Sequence, residues 1–230
     1  MIEMKIIGTL VNAGAVIVGS TIGLLVHSKL PSRITKVTFQ GVGLFTLFLG
    51  LYMALKTSNF LIMIFSILIG SIIGGGIDID KYMNRFGEFL KRKIKIKSED
   101  FTLGMGTAFL LFCMGSMTIL GAIEEGLGGY PHLLFAKSVL DGFSSIALTA
   151  TLGIGVMFSA IPLLIYQGAL TLFANLFQNI LSTPVINEIT AVGGLILIGL
   201  GINILEIKNL KVINMLPALI VAGILAYLIL

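Results

Sequence analysis

Apolar runs long enough to cross a lipid bilayer recur along the whole 230-residue chain. A membrane-spanning helix needs about 20 consecutive apolar residues. We predict eight such spans, at residues 6–26, 37–55, 59–77, 101–123, 133–157, 160–181, 189–206 and 211–230. Because the runs lack the apolar–polar alternation of membrane strands, they predict an all-α integral membrane protein.

The composition agrees, since 57% of the residues are hydrophobic and 11% are charged, against about 25% charged in a soluble domain. The single cysteine, Cys113, excludes an internal disulfide and a thiol metal site within one chain. Motifs for hydrolases, metalloproteases, nucleotide binding and dinucleotide binding are absent from the sequence. We therefore expect no enzyme activity, no cofactor, no metal site and no nucleic-acid partner.

Lysine and arginine residues are concentrated in segments 27–36, 78–100 and 207–211. In an eight-span topology these segments share one side of the membrane, and the other side has only Lys5 and Lys56. Positive charge marks the cytoplasmic side. We therefore predict that both termini lie outside the cytoplasm.

Segment 78–93 alternates apolar and charged residues at helical spacing, which predicts an amphipathic helix in the cytoplasmic membrane interface. The basic residues from Lys91 to Lys97 follow on from it. We expect them to lie against anionic lipid head groups, with an ordinary basic loop as the alternative.

An internal repeat relates spans 1–3 to spans 6–8. At one ungapped offset Gly43, Leu44, Leu49 and Gly50 match Gly194, Leu195, Leu200 and Gly201. Equivalent spans of the two copies are five places apart, which is an odd number, so the copies must insert in opposite directions, and their loop charges are reversed accordingly. We predict one transmembrane domain over 1–230, with repeats at 1–77 and 158–230, an interfacial segment at 78–100 and a central helix pair at 101–157. Inverted repeats are common in secondary transporters.

Two small-residue motifs, "GSTIG" (19–23) and "GSIIG" (70–74), predict close packing between helices. Such surfaces also allow a homo-oligomer.

The central pair contains the unusual charges. Lys137 and Asp141 are four residues apart in a predicted span, which places them on one helix face. An aspartate at mid-membrane costs about 3 kcal/mol to insert, so it is kept neutral, paired or hydrated. One interpretation is an ion pair that only permits insertion, with Lys137 reaching the outer interface; the other is a cation or proton site at Asp141.

Further polar residues are predicted near the same depth, and they complete a candidate solute site: Ser144, Ser145, Ser116, Thr118, Asn12 and Gln167. Asn12 and Gln167 occupy corresponding places in the two repeats, although buried amides also act simply as contacts between helices. Glu124 and Glu125 are predicted at the outer end of span 4, as a helix end in water or as a vestibule that attracts cations.

Three segments, "GTLVNAGAVIVGSTIGLL" (8–25), "FCMGSMTILGAIEEGL" (112–127) and "AKSVLDGFSS" (136–145), resemble a family of uncharacterised bacterial membrane proteins typified by YdfK and YqgA. The resemblance covers nearly the whole chain. It implies a multi-pass protein of the bacterial inner membrane, described as a possible transporter. Where the family has Gln-Asp-Gly, this chain has Glu124, Glu125 and Gly126, so an acid is kept and another is added.

Two functions follow as hypotheses. The first is a transporter or channel-like carrier for a small polar or cationic solute, with its site around Asp141. The alternative is a scaffold or regulatory membrane protein that transports nothing. A water-accessible cavity at Asp141 favours the first, and a dry, fully packed pair favours the second.

Overall fold

The computed structural model describes residues 6–27, 31–94, 101–177 and 180–230, and in these ranges it contains helices and no strand. The first seven helices are α1 (Ile7–His27), α2 (Ser32–Ala54), α3 (Phe60–Ile77), α4 (Ile79–Ile94), α5 (Phe101–Cys113), α6 (Ser116–Gly126) and α7 (His132–Leu152). The remainder are α8 (Gly155–Phe158), α9 (Ala160–Leu172), α10 (Ala174–Phe177), α11 (Thr183–Ile204) and α12 (Pro217–Ile229).

The chain forms two compact units. The first comprises Met1–Thr38 and Gly87–Gln178, and the second comprises Phe39–Phe86 and Asn179–Leu230. The first unit contains α1 and α5 to α10, and the second contains most of α2 together with α3, α11 and α12. Each unit therefore combines helices from both predicted repeats, while the predicted partition of the chain stays a prediction.

Seven helical segments of the described chain are long and apolar enough to cross a membrane, and a bent pair, α5 with α6, accounts for one more. The predicted continuous span 101–123 is thus a broken helix. Its two halves meet at 65°, next to the consecutive Gly115 and Ser116. Sharp helix kinks occur at Gly/Ser pairs, because glycine adds backbone freedom and serine offers the backbone an alternative hydrogen bond.

The bent pair nevertheless extends along the whole of α7. Near its start, Gly104 lies against Leu152 at the end of α7; towards its end, Gly121 lies against Leu134 at the beginning of α7. It therefore traverses the same thickness as an ordinary span. Counted as one span, the pair brings the candidate spans of the described chain to eight.

In the first unit, α1 and α7 run parallel in close contact. A Cβ atom at Gly19 would lie 2.1 Å from the backbone oxygen of Gly142, and one at Gly23 would lie 2.6 Å from that of Ile146. Only glycine permits this approach. The packing role predicted for residues 19–23 is confirmed.

In the second unit, α3 and α12 cross antiparallel. A Cβ at Gly70 would lie 2.3 Å from the backbone of Ala218, and one at Gly74 would lie 1.9 Å from the carbonyl oxygen of Asn214. The packing role predicted for residues 70–74 is therefore confirmed as well.

Several helix ends differ from the sequence prediction. The span predicted at 133–157 ends at Leu152, where Gly153 takes a φ of 72°. The span predicted from 189 begins at Thr183, with Pro184 in the first turn. Proline is favoured there because the first helical N–H groups have no partner within the helix. The last span begins with a 3-10 turn at Val212–Met215.

Candidate functional site

A buried ion pair lies at the centre of α7. The ammonium group of Lys137 binds the carboxylate of Asp141 one turn further along the helix. Only 6% of the Lys137 side chain and 9% of the Asp141 side chain are exposed. Asp141 is next to the midpoint of the helix, which matches the depth predicted from the sequence.

The break between α5 and α6 lies beside this pair. The Lys137 Nζ atom is 5.8 Å from the centre of the Phe112 ring, in the last turn of α5. The Thr118 hydroxyl reaches back across the break and donates to the carbonyl oxygen of Phe112 at 2.8 Å. Thr118 thus satisfies a carbonyl group that the broken helix would otherwise leave unpaired.

Two buried amides join α1 to α9 at this level. The Asn12 Nδ2 atom donates to Gln167 Oε1 at 3.0 Å, and the Asn12 side chain is also close enough to hydrogen-bond the Asp141 carboxylate. Gln167 in turn donates to the Thr9 hydroxyl at 3.3 Å. The structure therefore brings together Asn12, Gln167 and the ion pair, as the sequence predicted.

The predicted vestibule acids have different surroundings. Glu124 is half-buried, and its carboxylate accepts a long bond of 3.4 Å from the Leu133 N–H group. Glu125 is 2% exposed. Its Oε1 atom accepts from the Gly8 N–H group at 2.5 Å. Glu125 is therefore an interior residue that contacts the first turn of α1.

Two acceptor oxygens in this region have no hydrogen-bond partner, Asn12 Oδ1 and Glu125 Oε2. A helix N-terminus stabilises an anion by up to about 2 kcal/mol. Burying a carboxylate without a counter-ion costs several kcal/mol in effective terms. The α1 N-terminus alone therefore does not offset the burial of an ionised Glu125.

The predicted serines contribute less than expected. Ser145 is buried, but its hydroxyl donates to the Asp141 backbone oxygen at 2.6 Å. Ser144 is exposed on another face of α7, so the structure does not bring it to the buried pair. Ser116 is half-buried at the start of α6. Helical spacing explains this, since adjacent residues point about 100° apart.

The second unit contains a buried acid that falls between the predicted spans 160–181 and 189–206. Glu188 lies in α11 and is 0% exposed. It accepts hydrogen bonds from the Thr57 hydroxyl at 2.6 Å, the Ser58 N–H at 2.7 Å, the Ser58 hydroxyl at 2.9 Å and the Asn59 N–H at 3.1 Å. The "STP" at 182–184 was the available signal, because it predicts a helix start ahead of Glu188.

A groove of 380 Å³ between α5 and α9 is apolar, lined by residues that include Phe109, Ile165 and Phe173, and the ion pair is not part of its lining. Within the described ranges, no group of three or more His, Cys, Asp or Glu side chains is arranged to hold a metal ion.

These features define a multi-pass helical membrane protein with a buried polar cluster beside a broken helix. Residues 7–227 match the family described as "Protein of unknown function (DUF554)", and the chain belongs to this family. It is 33% identical over 226 residues to the uncharacterized membrane protein YdfK of Bacillus subtilis (strain 168), covering 96% of each chain. It is 35% identical over 222 residues to the uncharacterized protein YqgA of Escherichia coli (strain K12), covering 94% of each. No solved structure matches it.

Proposed function

We propose that this protein is a transporter or channel-like carrier for a small polar or cationic solute. The observation that carries the proposal is the broken helix α5–α6 beside the buried pair of Lys137 and Asp141. Discontinuous helices form the binding sites of many secondary transporters, because they place unpaired backbone groups at mid-membrane. Charged residues buried in spanning helices commonly mark ion or substrate pathways.

The chemistry of the cluster suits such a solute. Asp141 supplies a carboxylate, Asn12 and Gln167 supply amide groups, and Asn12 Oδ1 is an acceptor still without a partner. Lys137 neutralises Asp141 in the structure. A cationic solute that replaced Lys137 on the carboxylate would leave the ammonium group without its partner, so solute binding would also require Lys137 to reach water or another anion.

The inverted repeat is part of the proposal, and reciprocal contacts in the second unit support it. Gly43 packs against Leu205. In the repeat alignment Gly194 is equivalent to Gly43, and Ala54 is equivalent to Leu205. Gly194 and Ala54 also pack against each other. The same reciprocity relates the contact of Gly50 with Ile198 to that of Gly201 with Leu47. Surfaces related by a two-fold axis make contacts of this kind: when two residues pack against each other, their equivalents in the other copy also pack against each other.

We further propose a topology in which both termini face outward and α4 lies in the cytoplasmic interface of the bacterial inner membrane. The Lys/Arg distribution supports the orientation, and the helix at Ile79–Ile94 carries basic residues in its last turn. In this position Lys91, Arg92 and Lys93 would meet anionic head groups. Lys95 and Lys97, assigned to the same patch, lie outside the described residues, as do Lys5 and Lys29.

Labelling of single cysteines in a Cys113→Ala background tests this topology and the inversion together. Lys56→Cys and Asn209→Cys occupy equivalent loops of the two repeats, so an inverted repeat places them on opposite sides. We expect an impermeant maleimide added to intact cells to label Lys56→Cys, and Asn209→Cys only after permeabilisation. Labelling of both positions from the same side would contradict the inverted arrangement.

The enclosed ion pair favours a second candidate function. Lys137 and Asp141 are 5% and 7% exposed as whole residues, as expected of a packed pair in a scaffold or regulatory protein. An occluded transporter would enclose its site in the same way, so uptake has to decide between them.

Uptake into proteoliposomes tests the transport proposal. We expect vesicles containing the protein to accumulate at least one member of a panel of small cations and polar solutes under an imposed pH or ion gradient. Vesicles with the same lipid and an unrelated membrane protein provide the background rate. The same solute should raise the melting temperature of the protein in detergent, because a ligand that binds only the folded state stabilises it. Background rates across the panel, with no thermal shift, would favour the scaffold.

A further inference from the structure

We propose that Glu125 is a proton-binding site whose carboxyl group is protonated in the conformation described here. This deepens the proposed transport site by naming the ion that accompanies the solute and the residue that holds it. Sequence analysis placed Glu125 at the outer end of span 4, in water or in a vestibule, and made Asp141 the candidate cation or proton site. The hydrogen-bond partners of the two acids favour Glu125, rather than Asp141, as the residue that holds the proton.

The first step concerns charge. Asp141 has its counter-ion, since Lys137 binds its carboxylate. Glu125 is 2% exposed and accepts a hydrogen bond from the Gly8 N–H group, which carries no charge. With both acids ionised, the cluster would hold one net negative charge inside the protein. One proton on Glu125 makes the cluster neutral.

The second step concerns the unpaired oxygen. Glu125 Oε1 accepts from the Gly8 N–H at 2.5 Å, as the carbonyl oxygen of a carboxylic acid does. Oε2 is buried and has no hydrogen-bond partner among the described residues. An O–H group at Oε2 would also lack a partner there, but it carries no charge, so its burial costs less than that of a bare carboxylate oxygen. A metal cation would need several oxygen ligands, and a proton needs one.

Glu188 provides a comparison within the same chain. It is also a buried acid that faces the first turn of a helix, and it is as enclosed as Glu125. Four donors from Thr57, Ser58 and Asn59 reach its two carboxylate oxygens. The two acids therefore differ in their surroundings: four donors reach the carboxylate of Glu188, whereas Glu125 Oε2 has no donor in the described part of the chain.

The charged and titratable groups on the helices packed against α6 do not supply a counter-ion to Glu125 in the described part of the chain. On α7, Lys137 is bound to Asp141 and His132 is exposed. On α9 the titratable residue is Tyr166, α10 has none, and on α1 it is His27, at the opposite end of the helix. Glu124 neighbours Glu125 on α6, and Glu3 and Lys5 precede α1 outside the described residues.

Infrared spectroscopy of the purified protein tests the proposal without any transported solute. In an ester-free detergent at neutral pH, we expect the carbonyl stretch of a protonated carboxylic acid, which shifts when the protein is exchanged into D₂O. The band should be lost in Glu125→Gln and kept in the matched control Glu124→Gln, which removes an acid one residue away. It should also be kept in Asp141→Asn.

Three results would overturn the assignment. Native protein without the band would mean that Glu125 is ionised and paired with Lys5 or with another cation. A band that appears only after sodium and potassium are removed would mean that a metal cation occupies the site. Persistence of the band in Glu125→Gln would place the proton on another residue.

Stability provides a second measurement. Glutamine has the shape and donor–acceptor pattern of a neutral glutamic acid, so Glu125→Gln should leave the melting temperature at neutral pH unchanged. A clear loss of melting temperature, comparable to that of Glu188→Gln, would contradict a protonated Glu125. Neither measurement depends on uptake, so both can be interpreted even if the transport proposal fails.

Discussion

Asp141→Asn is expected to destabilise the protein by about 3–5 kcal/mol, the usual cost of removing one partner from a buried ion pair. The substitution leaves the Lys137 ammonium group 5% exposed without its carboxylate. The double variant Lys137→Met, Asp141→Asn should recover most of this loss, since removing both charges leaves no buried ion unpaired. Unfolding of the purified variants in detergent or bicelles measures both effects.

The same pair of variants separates two roles for the ion pair. If the pair only allows α7 to insert, the stable double variant should transport at the native rate. If Asp141 binds the solute, the double variant should be stable and inactive. A stable, active double variant would therefore exclude Asp141 from the solute site. Equal stability of Asp141→Asn and native protein would contradict the buried pair itself.

Glu188→Gln is expected to destabilise the protein by about 2–4 kcal/mol, because hydrogen bonds to a charged group contribute about 1.5–3 kcal/mol each and do not add fully. The carboxylate anchors the turn before α3, including Asn59, which accepts from the Leu61 N–H at 3.0 Å as the N-cap residue. Glutamine keeps the volume but turns an NH₂ group towards donors that need an acceptor.

Glu206→Gln is the matched control, because it removes the same charge from an exposed position. Surface substitutions of this kind usually stay within about 0.5 kcal/mol. Denaturant unfolding in detergent should therefore separate the two variants clearly. Similar unfolding curves for both would show that the four bonds to Glu188 contribute little.

The candidate site could be predicted only in part. The central depth of Asp141 and its pairing with Lys137 follow from helical spacing within one segment. The contact between Asn12 and Gln167 was expected from their matching places in the repeats, and it is present at 3.0 Å. Ser144 was grouped with the site by depth alone, and it is exposed because its direction around the helix differs from that of Asp141.

Glu125 and Glu188 show why burial was harder to predict than depth. Both are near the ends of apolar runs, where an acid is normally exposed to water. Their burial depends on segments distant in sequence: Gly8 of α1 approaches Glu125, and the turn at Thr57–Asn59 surrounds Glu188. No pattern local to either glutamate contains this information.

The sequence by itself determined the class of this protein, its seven to eight candidate spans and the two glycine motifs at which helices meet. These depend on the cost of polar groups in hydrocarbon and on the absence of a glycine side chain, which are properties of local segments. Only the tertiary structure decided where the helix at 101–126 breaks, which acids are buried, and which of them has a counter-ion. The physical reason is that the state of a buried charge is set by the donors and ions that surround it, and packing brings these together from distant parts of the chain.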